Sequence, residues 1–423
     1  MSGRWFSGSL FCLMVSAACF SLFPRWEPPN VVLIVIDDLR ADHLTHAGYS
    51  RDTSPFLAEL VARGTLFENT ISQSSGTKTS VASLLSSMYP EAHGVRGAKA
   101  VLPESIETLP EVLKRHGYQT FAIHGNLWLE QRFGFDQGFD VFVFSHWYKN
   151  TFDAEKVNRR VVEWIDEKPR QPFFLYLHYM DVHSPWKPPA DFDRFGPEAM
   201  DKYDGSISYL DSQLKRLYQE LGARRLTENT WIVVTADHGE EFGEHGIYDV
   251  GHAMTLYREV LRVPLIFQHP EAPTGTRMDG QVRLIDVAPT VLDLLGIPIP
   301  DDMVGVSLGA SVVFDEALHD SLEAFSQVGL NGVAPDKDLV AVTTKELKYI
   351  LDFESGAREL YDLTTDPKEM RNVADDNPAL VRELEARARR FRAVEAAKRL
   401  GFVPGAEIDE ELREQLRSLG YLR

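Results

Sequence analysis

The chain has 423 residues, with 44 Lys and Arg against 63 Asp and Glu, giving a formal net charge of −19 at pH 7. Its 44% hydrophobic and 11% aromatic residues supply the apolar surface of a large folded protein, which excludes disorder. So acidic a surface repels nucleic-acid backbones and anionic headgroups; no nucleic-acid partner is expected, and an anionic substrate must be held by local positive charge such as a metal.

Both cysteines, Cys12 and Cys19, lie in the first twenty residues, within an apolar run over 10–23 that follows Arg4. The run is shorter than the roughly 20 apolar residues of a spanning helix. Its basic start and the small residues Ser16, Ala17 and Ala18 read as a secretory signal over 1–23, with an uncleaved membrane anchor as the alternative. Cleavage after Ala18 would expose Cys19, the arrangement of a bacterial lipoprotein signal, although Ser16 stands where such signals prefer a larger aliphatic residue. The expected location is therefore extracytoplasmic or periplasmic, with membrane contact only through this N-terminal segment. The body of the chain has no cysteine, hence neither a disulfide framework nor a thiolate zinc site.

After a proline-rich spacer at 24–30, near-continuous apolar runs at 31–36, 119–123, 173–179, 231–235 and 263–267 have the pattern of strands buried on both faces of a parallel sheet. Between them, 55–63, 105–115, 154–166 and 206–221 space their apolar residues as helices do. This alternation predicts an α/β domain over 31–333, with helices on both faces and ligands at the carboxyl ends of the strands. From 334 onward, short alternating runs at 339–344, 346–353 and 359–361, separated by turn residues such as Glu354-Ser355-Gly356, predict an antiparallel meander. A helix over 378–399 follows, its Arg and Glu residues forming a solvated face.

Four stretches carry chemistry. Asp37 and Asp38 directly follow the first strand, where adjacent carboxylates repel unless a cation lies between them; acidic turn residues are the structural alternative. Asp237 and His238 follow another strand and lead into a Gly-punctuated stretch that ends at His252. Their oxygen and nitrogen donors suit Ca²⁺, Mg²⁺, Mn²⁺ or Zn²⁺ without choosing among them. Thr77, Lys78, Thr79 and Ser80 open a helical pattern. Two readings stand for them: simple helix caps, or a hydroxyl beside a cation with amides and Lys78 stabilising an anionic ester. His178 and His183 flank the end of the 173–179 strand, as structural or functional imidazoles.

Taken in order, these motifs resemble the sulfatase family of the alkaline-phosphatase superfamily over nearly all of the mature chain. The resemblance runs through Asp37-Asp38, Ser83-Leu84-Leu85 with Tyr89-Pro90 and His93-Gly94-Val95, and His183-x-Pro185. It continues through Asp237-His238-Gly239-Glu240, Arg262-Val263-Pro264-Leu265, Asp286 to Thr290, and Glu359 to Leu363 with Asp366-Pro367. It implies a mainly parallel central sheet between helices, a small C-terminal antiparallel sheet, and one divalent ion held by Asp37, Asp38, Asp237 and His238.

The departures bear on mechanism. Where the family usually carries Cys-x-Pro-Ser-Arg, with Cys or Ser oxidised to formylglycine, counting back from Leu84-Leu85 gives Thr77-Lys78-Thr79-Ser80-Val81. Threonine carries a methyl group on its β-carbon, so oxidation would give a ketone in place of the aldehyde. The family's Lys and His after the next strand are absent, with His124-Gly125-Asn126 near that place, and His252 falls near another family lysine. The expectation is a metal-dependent hydrolase in which Thr77 attacks a sulfate or phosphate ester, phosphate being mechanistically easier, with Lys78, His183 and His252 assisting. A phosphotransferase of the phosphoglycerol or phosphoethanolamine type, and a catalytically inactive binding protein, are the alternatives.

Overall fold

Residues 31–36 are six consecutive Val, Leu and Ile, side chains that favour extended backbone and exclude water from both faces of a strand. In the computed structural model, which describes residues 27–145, 153–247, 249–318, 322–329, 337–399 and 405–418, they form the fully buried β1 (Asn30–Ile36). The expected signal at 1–23 lies outside these residues. Around β1 are β2 (Thr65–Ile71), β3 (Gln119–His124), β4 (Val141–Phe144), β5 (Phe173–Tyr179), β6 (Thr230–Ala236), β7 (Arg262–Gln268) and β8 (Thr276–Arg283). They make an eight-stranded sheet of order β4-β3-β5-β1-β6-β7-β2-β8.

Helices cover the sheet. Val32 and Ile34 of β1 share an apolar space with Phe56 and Leu57 of the helix Pro55–Val61 and with Leu214 and Leu217 of the helix Ala199–Ala223. A second set, Thr77–Ser86, Leu109–Arg115 and Val287–Leu294, packs together as the other layer.

The fold class follows the sequence reading; several elements differ in detail. The 263–267 run was expected to be parallel, but β7 pairs antiparallel with both β6 and β2. The cause is its connection: after β6 the chain stays at one edge of the sheet and holds only the short helix Arg258–Leu261 before turning back. A buried antiparallel strand has the same apolar composition as a parallel one, so composition does not reveal direction. β2 breaks its pattern with Glu68 and Asn69, where its register slips against both neighbours. β8 is polar and edge-placed, and β4 has four residues. None of these three stands out as an apolar run. The predicted 105–115 helix starts at Leu109, behind a capping box of Thr108 and Glu111, and the 206–221 helix begins at Ala199.

A second sheet, all antiparallel, has the order β12-β11-β10-β9: β9 (Ala324–Gly329), β10 (Asp338–Thr343), β11 (Leu347–Asp352) and β12 (Arg358–Asp362). Its first strand lies ahead of position 334, where the sequence reading began the subdomain. The alternation of β10 sorts its faces. Leu339 and Ala341 pack with Leu256, Tyr257, Val260 and Leu261 from the β6–β7 connection. Val340 and Val342 meet Val381, Leu384, Ala388 and Phe391 of the helix Pro378–Ala397. The charged face expected on that helix is accompanied by this buried stripe. Phe391 stacks on Phe325 at 4.0 Å, and Arg96 bridges Glu91 to Asp338 of β10. Among the described residues no helix is long and apolar enough to cross a membrane.

The turn after β1 is held from the long helix Ala199–Ala223. Asp38 sits in the left-handed region at φ 62, and the Tyr203 hydroxyl donates to its carbonyl at 2.7 Å while accepting from the Arg40 amide at 2.9 Å. Tyr203→Phe would leave both backbone groups buried and unpaired. It is expected to lower the unfolding free energy by about 1–3 kcal/mol, read from urea denaturation midpoints.

Candidate active site

Register brings the first two carboxylates together. Ile36 of β1 pairs with Ala236 of β6, so Asp37 and Asp237, the next residue on each strand, emerge side by side. Asp37 Oδ2 accepts from Asn126 Nδ2 at 2.6 Å and lies 3.2 Å from His178 Nε2, but its Oδ1 has no hydrogen-bond partner. Asp237 Oδ1 accepts from the His238 amide at 2.9 Å, and its Oδ2 has none. Both carboxylates are fully buried. His238 Nε2 faces the two orphaned oxygens, 3.8 Å from Asp37 Oδ1 and 3.5 Å from Asp237 Oδ2. Its Nδ1 is 3.0 Å from the Gly239 carbonyl, a partner that fixes the proton there and leaves the Nε2 lone pair facing the carboxylates. Gly239 itself admits no side chain, since a Cβ there would come within 2.1 Å of the Glu259 carbonyl.

Buried carboxylate oxygens without partners are costly, and a divalent cation among Asp37, Asp237 and His238 satisfies all of them at once. The electrostatics agree. Burial pushes the Asp237 carboxyl up to about 6, with the repulsion of Asp37 adding to it. Burial would also raise Asp37, but its hydrogen bond to His178 and the neighbouring imidazoles hold it well below the usual carboxylate range.

Thr77 completes this group. It is the first residue of the helix Thr77–Ser86, behind the N-cap Gly76, and its side chain makes no cap. Instead Oγ1 lies 3.2 Å from His238 Nε2 and 3.4 Å from Asn126 Nδ2. Ser72 and Ser80 lock the helix to the end of β6, both donating to the Asp237 carbonyl, at 2.6 and 2.7 Å.

Lys78 is elsewhere. Its ammonium donates to the carbonyls of Ala98 and Ala100, at 2.6 and 3.1 Å, and lies over the rings of Phe133 and Trp128. The expectation that it assists an anionic ester is corrected: successive helical residues point in different directions, and Lys78 faces away from Thr77. Burial holds its pKa well below that of a free lysine.

Asp38 is the second departure. The four-ligand expectation joined it to Asp37, Asp237 and His238, but it lies on the other side of the His238 ring, with Oδ1 3.1 Å from Nδ1. Its neighbours are His183, with Nε2 3.8 Å from Oδ2, and His252, with Nδ1 3.3 Å from Oδ1. His252 Nδ1 also lies 3.2 Å from Glu240 Oε1. Burial disfavours charge on His252, yet Asp38 and Glu240 outweigh it and lift the imidazole to about 9. Sequence reasoning left Asn126 and Glu240 without a role; their only signal was proximity to His124 and to the Asp237-His238 pair.

With this geometry in view, comparison with known proteins settles the family. The Sulfatase family profile matches residues 29–297, and the profile for the C-terminal part of N-sulphoglucosamine sulphohydrolase matches 243–393. The chain belongs to the sulfatase family. An arylsulfatase of Clostridium perfringens is 24% identical over 468 residues, covering 85% of this chain and 95% of that one. Among solved structures, a phosphonate monoester hydrolase of Agrobacterium radiobacter superimposes with a TM-score of 0.75 at 19% identity, covering 87% of this chain and 96% of that one. A protein solved with its substrate D-glucosamine-2-N,6-O-disulfate reaches 0.74 at 18% identity, covering 88% and 99%.

Within this sulfatase-family chain the side chain nearest His238 Nε2 at the head of the helix Thr77–Ser86 is the secondary alcohol of Thr77. Saturating divalent metal is expected to raise the unfolding free energy by about 2.7 kcal/mol at a hundredfold excess over Kd. Asp237→Asn, which removes one converging charge, is expected to shrink that gain. Thermal unfolding with and without chelator checks both, and a melting temperature indifferent to Ca²⁺, Mg²⁺, Mn²⁺ and Zn²⁺ would contradict them.

Proposed function

We propose that this chain is a divalent-metal-dependent hydrolase of phosphate esters, diesters in particular, with Thr77 as the nucleophile and sulfate esters as poorer substrates. The observation carrying this reading is the position of Thr77 Oγ1, buried at a helix N-terminus and 3.2 Å from His238 Nε2 beside the orphaned oxygens of Asp37 and Asp237. A cation bound by those residues would lower the pKa of the hydroxyl and neutralise charge on the transferred group.

The chain's own groups do the rest. Asn126 Nδ2 orients Oγ1, and the first-turn amides of the helix Thr77–Ser86 meet the anionic ester with the positive end of the helix dipole. The bond from Thr77 Oγ1 to phosphorus forms as the bond to the leaving alcohol breaks, and the alcohol departs with a proton. Water then attacks the phosphorus held on Thr77, the phosphorus–Oγ1 bond breaks as Oγ1 regains a proton, and a diester substrate leaves as its phosphate monoester.

The preference for phosphorus follows from the alcohol. A formylglycine hydrate expels sulfate by collapsing to the aldehyde, whereas a sulfated threonine has no second hydroxyl to drive that step and must wait for water. The arylsulfatase relative and the phosphonate monoester hydrolase neighbour are consistent with an anionic ester substrate. A substrate alcohol can replace water as acceptor, which would appear as transesterified product.

Thr77→Ala is expected to lose at least about a thousandfold in turnover of an aryl phosphodiester while keeping bound metal. Efficient multiple turnover of an aryl sulfate, with phosphate esters inert, would overturn the reading. The apolar run over 10–23 and Cys19 also support export. The mature N-terminus is expected at or near Cys19 by mass spectrometry, and an intact Met1 in a cytoplasmic fraction would contradict it.

A further inference from the structure

We propose that a cavity between the two sheets is a binding site for a tetrahedral oxyanion, a phosphate or sulfate group, held by Arg258, Arg262 and Thr343. It is separate from the cluster around Thr77, and it stands whether or not Thr77 is a nucleophile.

Strand register builds the cavity from both sheets. In the large sheet Ile71 of β2 pairs with Arg262 of β7, and Asn69 pairs with Gln281 of β8. In the small sheet Thr343, at the end of β10, pairs with Lys348 of β11. Leu339, Ala341 and Thr343 share one face of β10. The first two belong to the apolar contact with Leu256, Val260 and Leu261, and at Thr343 that contact gives way to a cavity of about 200 Å³. This is ample for a tetrahedral oxyanion, since a single water's share of the liquid is about 30 Å³. Four cations, Arg258, Arg262, Lys345 and Lys348, line it against one carboxylate, Glu369. On a chain of net charge −19 this is a local reversal of sign.

Two independent observations point to an anionic ligand. The first is charge pairing. Glu369 is engaged by Lys348, whose ammonium donates to both of its oxygens at 2.8 and 3.0 Å, and Lys345 pairs with Asp279 at 2.9 Å. The nearby carboxylates of Asp42 and Glu68 pair with Arg40 and Arg277. The guanidinium of Arg258 donates to the Pro367 carbonyl, and that of Arg262 to the Glu68 carbonyl through Nε and Nη2, at 3.0 and 2.8 Å. Among the described residues no carboxylate pairs with either arginine. Burial holds the pKa of Arg262 below that of a free arginine, and the like charge of Arg258 adds to the effect. An oxyanion shared by the two guanidinium groups relieves both costs.

The second observation is Thr343. Its side chain is buried and borders the cavity, yet Oγ1 has no hydrogen-bond partner. A hydroxyl donor beside two guanidinium forks is a set suited to the oxygens of phosphate or sulfate. The bound anion would fasten β10 to the helix Arg258–Leu261. That helix also supports the turn after His238, because the Val260 carbonyl accepts from the Gly239 amide at 3.1 Å.

Calorimetry on the full-length protein tests the site, with inorganic phosphate as one probe and methylphosphonate, whose carbon stands for an organic chain, as the other. Ionic strength is held constant with chloride, and circular dichroism checks folding. One binding event is expected to weaken about tenfold or more in folded Arg258→Gln and about tenfold in Thr343→Val, and to be unchanged in Asp237→Asn, which alters the Thr77 cluster. Binding of inorganic phosphate alone would uphold a site for the free ion. Binding of methylphosphonate as well would uphold one that accepts a phosphate group on an organic molecule. Crystals of the unaltered protein soaked in selenate add a readout that needs no variant: an anomalous peak is expected within hydrogen-bonding distance of Arg258 and Thr343. Absence of binding by either probe, an affinity indifferent to both substitutions, or selenate confined to the Thr77 cluster would overturn the proposal, even in an enzyme that turns over phosphodiesters.

Discussion

Buried negative charge of one sign is the constraint around which this molecule is organised. Asp37, Asp38, Asp237 and Glu240 are withdrawn from water at the ends of β1 and β6, where an uncompensated carboxylate costs several kcal/mol. The surrounding architecture answers that cost. Imidazoles of His178, His183, His238 and His252 face the carboxylates, Asn126 hydrogen-bonds Asp37, and a helix begins with its amides turned towards the cluster. No disulfide stabilises this arrangement among the described residues, which contain no cysteine.

The sheet converts distant sequence into proximity. Asp37 and Asp237 are far apart in the chain, and parallel pairing of their strands makes them neighbours. The connection that precedes the reversed β7 brings Glu240 and His252 beside Asp38. Gly239 makes the first step of that path possible by allowing the backbone to pass against Glu259.

Asp37, Asp237 and His238, which the structure brings together, could be singled out in the sequence because they sit directly after apolar strands, where side chains of an α/β sheet converge. Thr77 was legible for a different reason, its place at the head of a helical pattern between recognisable motifs. Lys78 was misread because adjacency in sequence is not adjacency on a helix: its stem turns towards Trp128 and Phe133. The separation of Asp38 from Asp37 was equally hidden, since consecutive residues diverge at a left-handed turn whose φ the sequence does not display. Asn126 could not be assigned, as its contact with Asp37 depends on strand order, with β5 lying between β3 and β1. β9 escaped for lack of a contiguous partner, pairing with a strand beyond an intervening segment.

The small sheet also reaches back to the segment ahead of Thr77. From β9, the Ser326 hydroxyl donates to the Ser72 carbonyl at 2.6 Å and the Gln327 amide to the Gln73 carbonyl at 2.9 Å, just ahead of Thr77. These partners stand 254 positions apart for Ser72 and Ser326. A polypeptide emerging from the ribosome therefore exposes Thr77 long before it delivers the strand that seats the preceding segment. The segment that leads into Thr77 is in this way seated late in chain delivery, and a product ending before β9 would carry every residue of the cluster without these two hydrogen bonds behind Thr77.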